Sequence, residues 1–96
     1  MTAYVIGNIT VKDPDKWAEY RSLVPETLVP WDGELVLRGT QAKVLSGQYR
    51  HTDTVVIRFP NADSVVDWHD SPAYQALVPL RTQAADVDLV TFEADQ

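Results

Sequence analysis

Ninety-six residues, 45% of them apolar, suffice for one domain but not for a large core, and a chain of this length buries only roughly 60–65% of its unfolded surface. The net charge of −6 and the scatter of three lysines and five arginines exclude the clustered cationic surface that duplex nucleic acid or an anionic membrane requires. No apolar run is long enough to span a bilayer, and the absence of cysteine excludes disulfides, thiolate metal sites and thiol nucleophiles. Met1-Thr2-Ala3-Tyr4 leads directly into a strand pattern without the basic and apolar regions of a signal peptide, so the cytosol is the expected compartment.

Ala3 to Val11 reads as a strand, β-branched and apolar on both alternating sets. Asn8 falls in the set of Tyr4 and Ile6, and as a polar residue among apolar neighbours it needs a hydrogen-bond partner. Asp13-Pro14 then starts a helix, with aspartate as cap and proline in the first turn. Trp17, Tyr20, Arg21, Val24 and Leu28 recur at helical spacing and form one inward stripe. Pro25 removes a backbone donor and is expected to loosen the last turns. Asp32-Gly33 marks a turn, and Glu34 to Arg38 a second strand. Gly39 to Gln41 reads as a bend, Lys43 to Leu45 as a continuation or local pairing, and residues 47–53 as a polar loop. Thr54 to Phe59 is the third strand, ended by Pro60, and Asn61 caps the next helix. Ala62, Val65, Val66 and His69 predict its inner face, with Trp68 on the flank. Ser71-Pro72 stops and restarts the helix. The second segment carries Tyr74, Leu77, Val78 and Arg81 on one stripe, with Pro79 expected to distort its end. Val87 to Glu93 is the last strand.

The order β-α-β-(β)-β-α-β predicts an α+β fold of the ferredoxin-like, split β-α-β type, an antiparallel sheet with its helices on one face. The first and third strands are apolar on both sides, and no segment remains to cover the second face. A second copy of the same sheet is the simplest cover, so a homodimer is expected.

Ala3-Tyr4-Val5-Ile6, Asp13-Pro14 with Trp17 and Glu19-Tyr20-Arg21, Leu23-Val24-Pro25, Arg38-Gly39 and Val56-Ile57-Arg58-Phe59-Pro60 recur together with Trp68-His69-Asp70-Ser71-Pro72-Ala73-Tyr74-Gln75 and Pro79-Leu80-Arg81. In these residues the chain resembles the domain of unknown function 1330 family of dimeric α+β-barrel proteins. The resemblance covers nearly the whole chain, is most specific at Ser-Pro-Ala-Tyr-Gln, and implies the fold and a dimer but no activity. Related folds include small monooxygenases, lactone isomerases and haem-degrading enzymes. The haem-degrading group is similar at Asn8 and Trp68, yet Val78 stands where its iron-ligating histidine belongs. No haem, no tightly bound metal and no other cofactor is therefore expected.

His69 is the candidate proton-transfer residue, because histidine alone titrates near neutrality and this one lies on a helix face; His51 lies in a polar loop. The two histidines lack metal-ligand spacing. Tyr20, Trp68 and Tyr74 are candidate pocket walls, although aromatics at such spacing also serve as core. Arg38 and Arg81 interrupt apolar patterns, and an inward arginine needs an anionic ligand or a carboxylate such as Asp67, Asp70 or Glu19. With Asn8 beneath the helices, these residues suit a small anionic or aromatic ligand between sheet and helices. A cofactor-free oxygenase or isomerase is one reading; a non-catalytic ligand-binding or purely structural homodimer is the other.

Overall fold

A computed structural model describes residues 1–94. The strands are β1 (Thr2–Val11), β2 (Glu34–Thr40), β3 (Asp53–Phe59) and β4 (Ala85–Ala94). They form one sheet in the order β2-β3-β1-β4, and the pairings of β1 with β3 and β4 and of β2 with β3 are all antiparallel. Helix α1 (Pro14–Leu28) connects β1 to β2. The short helices α2 (Ala62–Asp70), α3 (Pro72–Gln75) and α4 (Val78–Ala84) connect β3 to β4. This is the split β-α-β arrangement of the ferredoxin-like fold. None of the helices is long and apolar enough to cross a membrane.

The caps follow their residues. Asp13 accepts from the Lys16 amide at the start of α1, and Asn61 from the Ser64 amide at the start of α2. Ser71 accepts from the Tyr74 amide at the start of α3. The expectations for Pro79, for residues 43–45 and for Val66 are corrected. Helix α1 continues through Pro25 to Leu28. Pro79 lies in the first turn of α4, where its missing donor costs nothing, so the segment after Ser71 divides at Ala76-Leu77 instead of fraying at its end. Residues 41–52 form no strand; Gln41 N–H to Thr52 O, at 2.6 Å, closes the base of this loop. On α2 the inward pair is Val65 and Trp68, while Val66 is half exposed.

Alternation divides the sheet. Ala3, Val5, Ile9, Ile57 and Phe59 face the helices and are buried. Their alternates face away: Leu37, Val56, Ile6 and Val90 stand opposite one another in a row across all four strands, and Tyr4 pairs with Phe92 in the next row. The described residues measure 32 × 32 × 16 Å, one sheet and one helical layer deep. The 41–52 loop packs on one end of this second face, through Tyr49 on Asn8 and His51 between Thr10 and Asp88, and no helix or strand among the described residues covers the rest. Val90 is 45% and Phe92 54% exposed there. In β2 the register shifts between Leu35, opposite Ile57, and Leu37, opposite Val56, so that Val36 is an extra residue.

Candidate functional site

A cleft of about 450 Å³ opens between the inner face of α1 and the β2-β3-β1 part of the sheet. Helix α1 supplies Trp17, Tyr20, Val24 and Leu28. The rings of Trp17 and Tyr20 stack with centroids 5.1 Å apart. Ile9, Val55, Ile57 and Leu89 form the floor. Gly7 lies among them without a side chain, and a Cβ there would stand 2.8 Å from Val55 Cγ1 and 3.1 Å from Leu89 Cδ2. Trp68 closes the back of the cleft; its indole Nε1–H donates to Thr27 Oγ1 at 3.0 Å, and Thr27 donates in turn to the Val24 carbonyl. Phe59 and Tyr74 pack on the indole at centroid distances of 5.4 and 4.4 Å.

Charge gathers at the rim. Arg38 reaches it from β2, Arg21 from α1, and both are exposed. Among the described residues neither arginine makes an ion pair. Of the acidic rim residues, Glu34 is held by Arg58 at 2.9 Å, which leaves Asp53. An apolar hollow with two unpaired guanidinium groups at its edge suits a ligand with a hydrophobic body and an anionic oxygen.

The hydroxyl of the cleft residue Tyr20 lies 2.8 Å from that of Tyr74, and Arg81 Nη1 donates to Tyr74 Oη at 2.9 Å. Burial above all, and then the neighbouring Tyr74 phenol, push the Tyr20 pKa up, so this hydroxyl stays protonated through the physiological range.

The fold thus brings Tyr20, Arg38 and Trp68 to the cleft, with Tyr74 and Arg81 one layer behind. Two anticipated residues are elsewhere. Asn8 alternates onto the face away from the helices, where Tyr49 Oη–H donates to its Oδ1 at 2.5 Å; a strand residue two positions from Ile6 cannot lie beneath the helices. His69, at the end of α2, borders a shallow groove with Val5, Val66 and Leu89 on the β4 side. Its Nδ1 is 3.6 Å from Asp70 Oδ1, too long for a hydrogen bond. Arg21 was legible as part of the α1 stripe but not as a rim residue, because helical spacing does not show where a long side chain ends.

The histidine with a built environment is His51, only 4% exposed. Its Nε2 lies 2.7 Å from Asp88 Oδ2 and its Nδ1 3.0 Å from Thr10 Oγ1. A carboxylate only accepts, so Nε2 carries a proton toward Asp88. Arg50 bridges Asp88 and Asp86 at 2.6 and 2.8 Å. The hydrogen bond from His51, and then the Arg50 charge, hold the Asp88 carboxyl below the usual carboxylate range. A carboxyl lowered by folding contributes stability above its unfolded pKa of about 3.9 and loses it as the pH falls through the lowered value. Asp88→Asn is therefore expected to be less stable than wild type at neutral pH, with the gap closing in acid. Urea midpoints across that pH range check this; a gap that stays constant into acid would mean that the charge of Asp88 contributes nothing.

The chain is thus of the α+β class, with a ferredoxin-like sheet, helices on one face and a cleft between the layers. The chain belongs to a family described as a domain of unknown function, DUF1330, which matches residues 2–95. It is similar in structure to a protein of unknown function from Rhodopseudomonas palustris, with a TM-score of 0.83, 15% identity, and coverage of 99% of this chain and 83% of the other. A dimeric ferredoxin-like protein of unknown function from a Jannaschia species gives a TM-score of 0.76 at 10% identity, covering 98% and 100%. SnoaB, a cofactor-independent oxygenase from Streptomyces nogalater, gives 0.68 at 13% identity, covering 99% and 94%. At these identities the likeness is one of fold. No curated protein matches the sequence.

Proposed function

We propose that the protein binds a small, mainly apolar molecule with an acidic or enolic oxygen in the cleft under α1. The observation that carries this reading is the apolar hollow whose rim holds Arg21 and Arg38 without ion-pair partners among the described residues. Two guanidinium groups stabilise an enolate, the species that a cofactor-free oxygenase or isomerase forms from its substrate. The fold shared with SnoaB supports that enzymatic reading. Of the acid–base groups, Tyr20 and Asp53 border the cleft and His69 does not, so proton transfer by His69 would require a ligand in the β4-side groove.

The test is a titration of naphthalene-2-carboxylate against wild type, Arg38→Ala and Arg21→Ala, followed by tryptophan fluorescence. Loss of a charge-assisted bond is expected to weaken binding at least tenfold in Arg38→Ala, while uncharged 2-methylnaphthalene binds both proteins alike. Wild-type affinity for the carboxylate in both arginine variants would sink the proposal.

The bare sheet face supports a second element of the reading, a homodimer that closes two sheets into an α+β barrel. Its apolar rows need cover, and structural neighbours from Jannaschia and Thermobifida fusca are described as dimeric.

A further inference from the structure

We propose that Tyr20 is a fixed hydrogen-bond donor to the occupant of the cleft, aimed by Arg81 through Tyr74, so that the occupant carries an acceptor oxygen against α1 as well as an anionic group at the rim. This rests on the cleft being a binding site. It assigns separate roles to three side chains: Tyr20 touches the ligand, while Tyr74 and Arg81 position it.

Donor counting leads there. A guanidinium only donates, so Tyr74 Oη accepts from Arg81 Nη1. Tyr74 is fully buried, and among the described residues the other partner of its hydroxyl is Tyr20 Oη. A phenol oxygen can accept twice, so the bond from Arg81 alone does not set the order; enclosure does, because a Tyr74 proton not given to Tyr20 would be orphaned in the core, whereas Tyr20 borders the cleft. The Tyr20 oxygen is thereby an acceptor, and its own proton has no acceptor among the described residues. Buried donors are paired as a rule, and the open space that Tyr20 borders is the cleft.

The charge pattern agrees. Arg81 is part-buried and makes no ion pair among the described residues. A cation at one end of a chain of two hydroxyls polarises both toward donation at the other end, and neighbouring bonds in such a chain strengthen each other. Burial keeps the Tyr20 phenol protonated, so it meets the ligand as a donor.

Two measurements decide the matter. In ligand-free protein, NMR should show a tyrosine hydroxyl proton in slow exchange that belongs to the Tyr74 ring, with the Tyr20 proton in rapid exchange. A slow proton on Tyr20, or on neither ring, overturns the donor order whatever binds. The second measurement titrates 4-nitrophenolate and records its absorption band, which shifts when a donor meets its oxygen. Tyr20→Phe is expected to bind about tenfold more weakly and to lose the band shift. Tyr74→Phe should keep the fold and lose part of the shift, because the donor is no longer aimed. Arg38→Ala should weaken binding and leave the band where it is in wild type. Wild-type affinity and band in Tyr20→Phe overturn this inference and leave the cleft intact. Failure of wild type to bind any anionic probe counts against the cleft itself, and the NMR result still decides the donor order.

Discussion

Replacing Trp68 with alanine is expected to cost about 3–5 kcal/mol, the range for removing a large aromatic from a packed core. Trp68 is 2% exposed, packs on Phe59 and Tyr74, and ties α2 to α1 through Thr27. A domain of this size holds about 5–15 kcal/mol in total, so one side chain carries a large share. Urea unfolding should show the midpoint falling by roughly 2 M at the slope usual for small proteins. Trp68→Phe keeps an aromatic and loses the indole donor and some volume, and should fall between the two. Thr27 still bonds the Val24 carbonyl in both variants, so no buried hydroxyl is orphaned. An alanine variant within about 1 kcal/mol of wild type would mean that the aromatic cluster closes over the gap, and that the back of the cleft is soft.

The second large effect concerns the bare face. Val90→Glu is expected to turn a dimer into a monomer. Val90 lies in the row with Leu37, Val56 and Ile6 and is half exposed in the single chain, so a carboxylate there leaves the monomer's own core intact. In a two-fold contact the same charge enters from both copies, and an unpaired buried carboxylate costs several kcal/mol. Light scattering at micromolar concentration should give twice the 10.8 kDa chain mass for wild type and the single mass for the variant. A wild type that already runs at 10.8 kDa, or a Val90→Glu protein that stays dimeric, would remove this face as the interface.

Much of the fold was legible because local chemistry and periodicity agree. Asp13-Pro14, Asn61 and Ser71-Pro72 cap the helices where the sequence puts caps, and the two-sided apolar strands β1 and β3 occupy the middle of the sheet. Tyr20 was legible as inward from helical spacing, whereas Trp68 was read on the flank of α2 and is buried. What was not legible depends on distant pairing. His51 sits in a polar stretch and is buried only because Thr10 and Asp88, forty-one and thirty-seven residues away, close on it. The split of the helical segment at Ala76-Leu77 turned on whether Pro79 ends one helix or starts another, and single-sequence patterns favour neither. Asn8 is a different case. Its alternation with Tyr4 and Ile6 already put it on the far side, and a place beneath the helices conflicted with that parity.

A strand has two sides, and β2 changes sides midway. Without the bulge at Val36, with every residue kept and paired in turn, Leu37 would stand opposite Val55 on the helix side and Arg38 opposite Thr54 on the far side. With it, Arg38 stands opposite Val55 and Leu37 opposite Val56. One shift of register thus sets two properties at once, the cation offered to a ligand and the apolar side chain offered to a second sheet. Recognition and assembly are coupled through the bulge: losing the shift with every residue kept exchanges the two together, whereas deleting Val36 leaves a regular ladder with the same partners, and substitutions at other positions can tune either one alone.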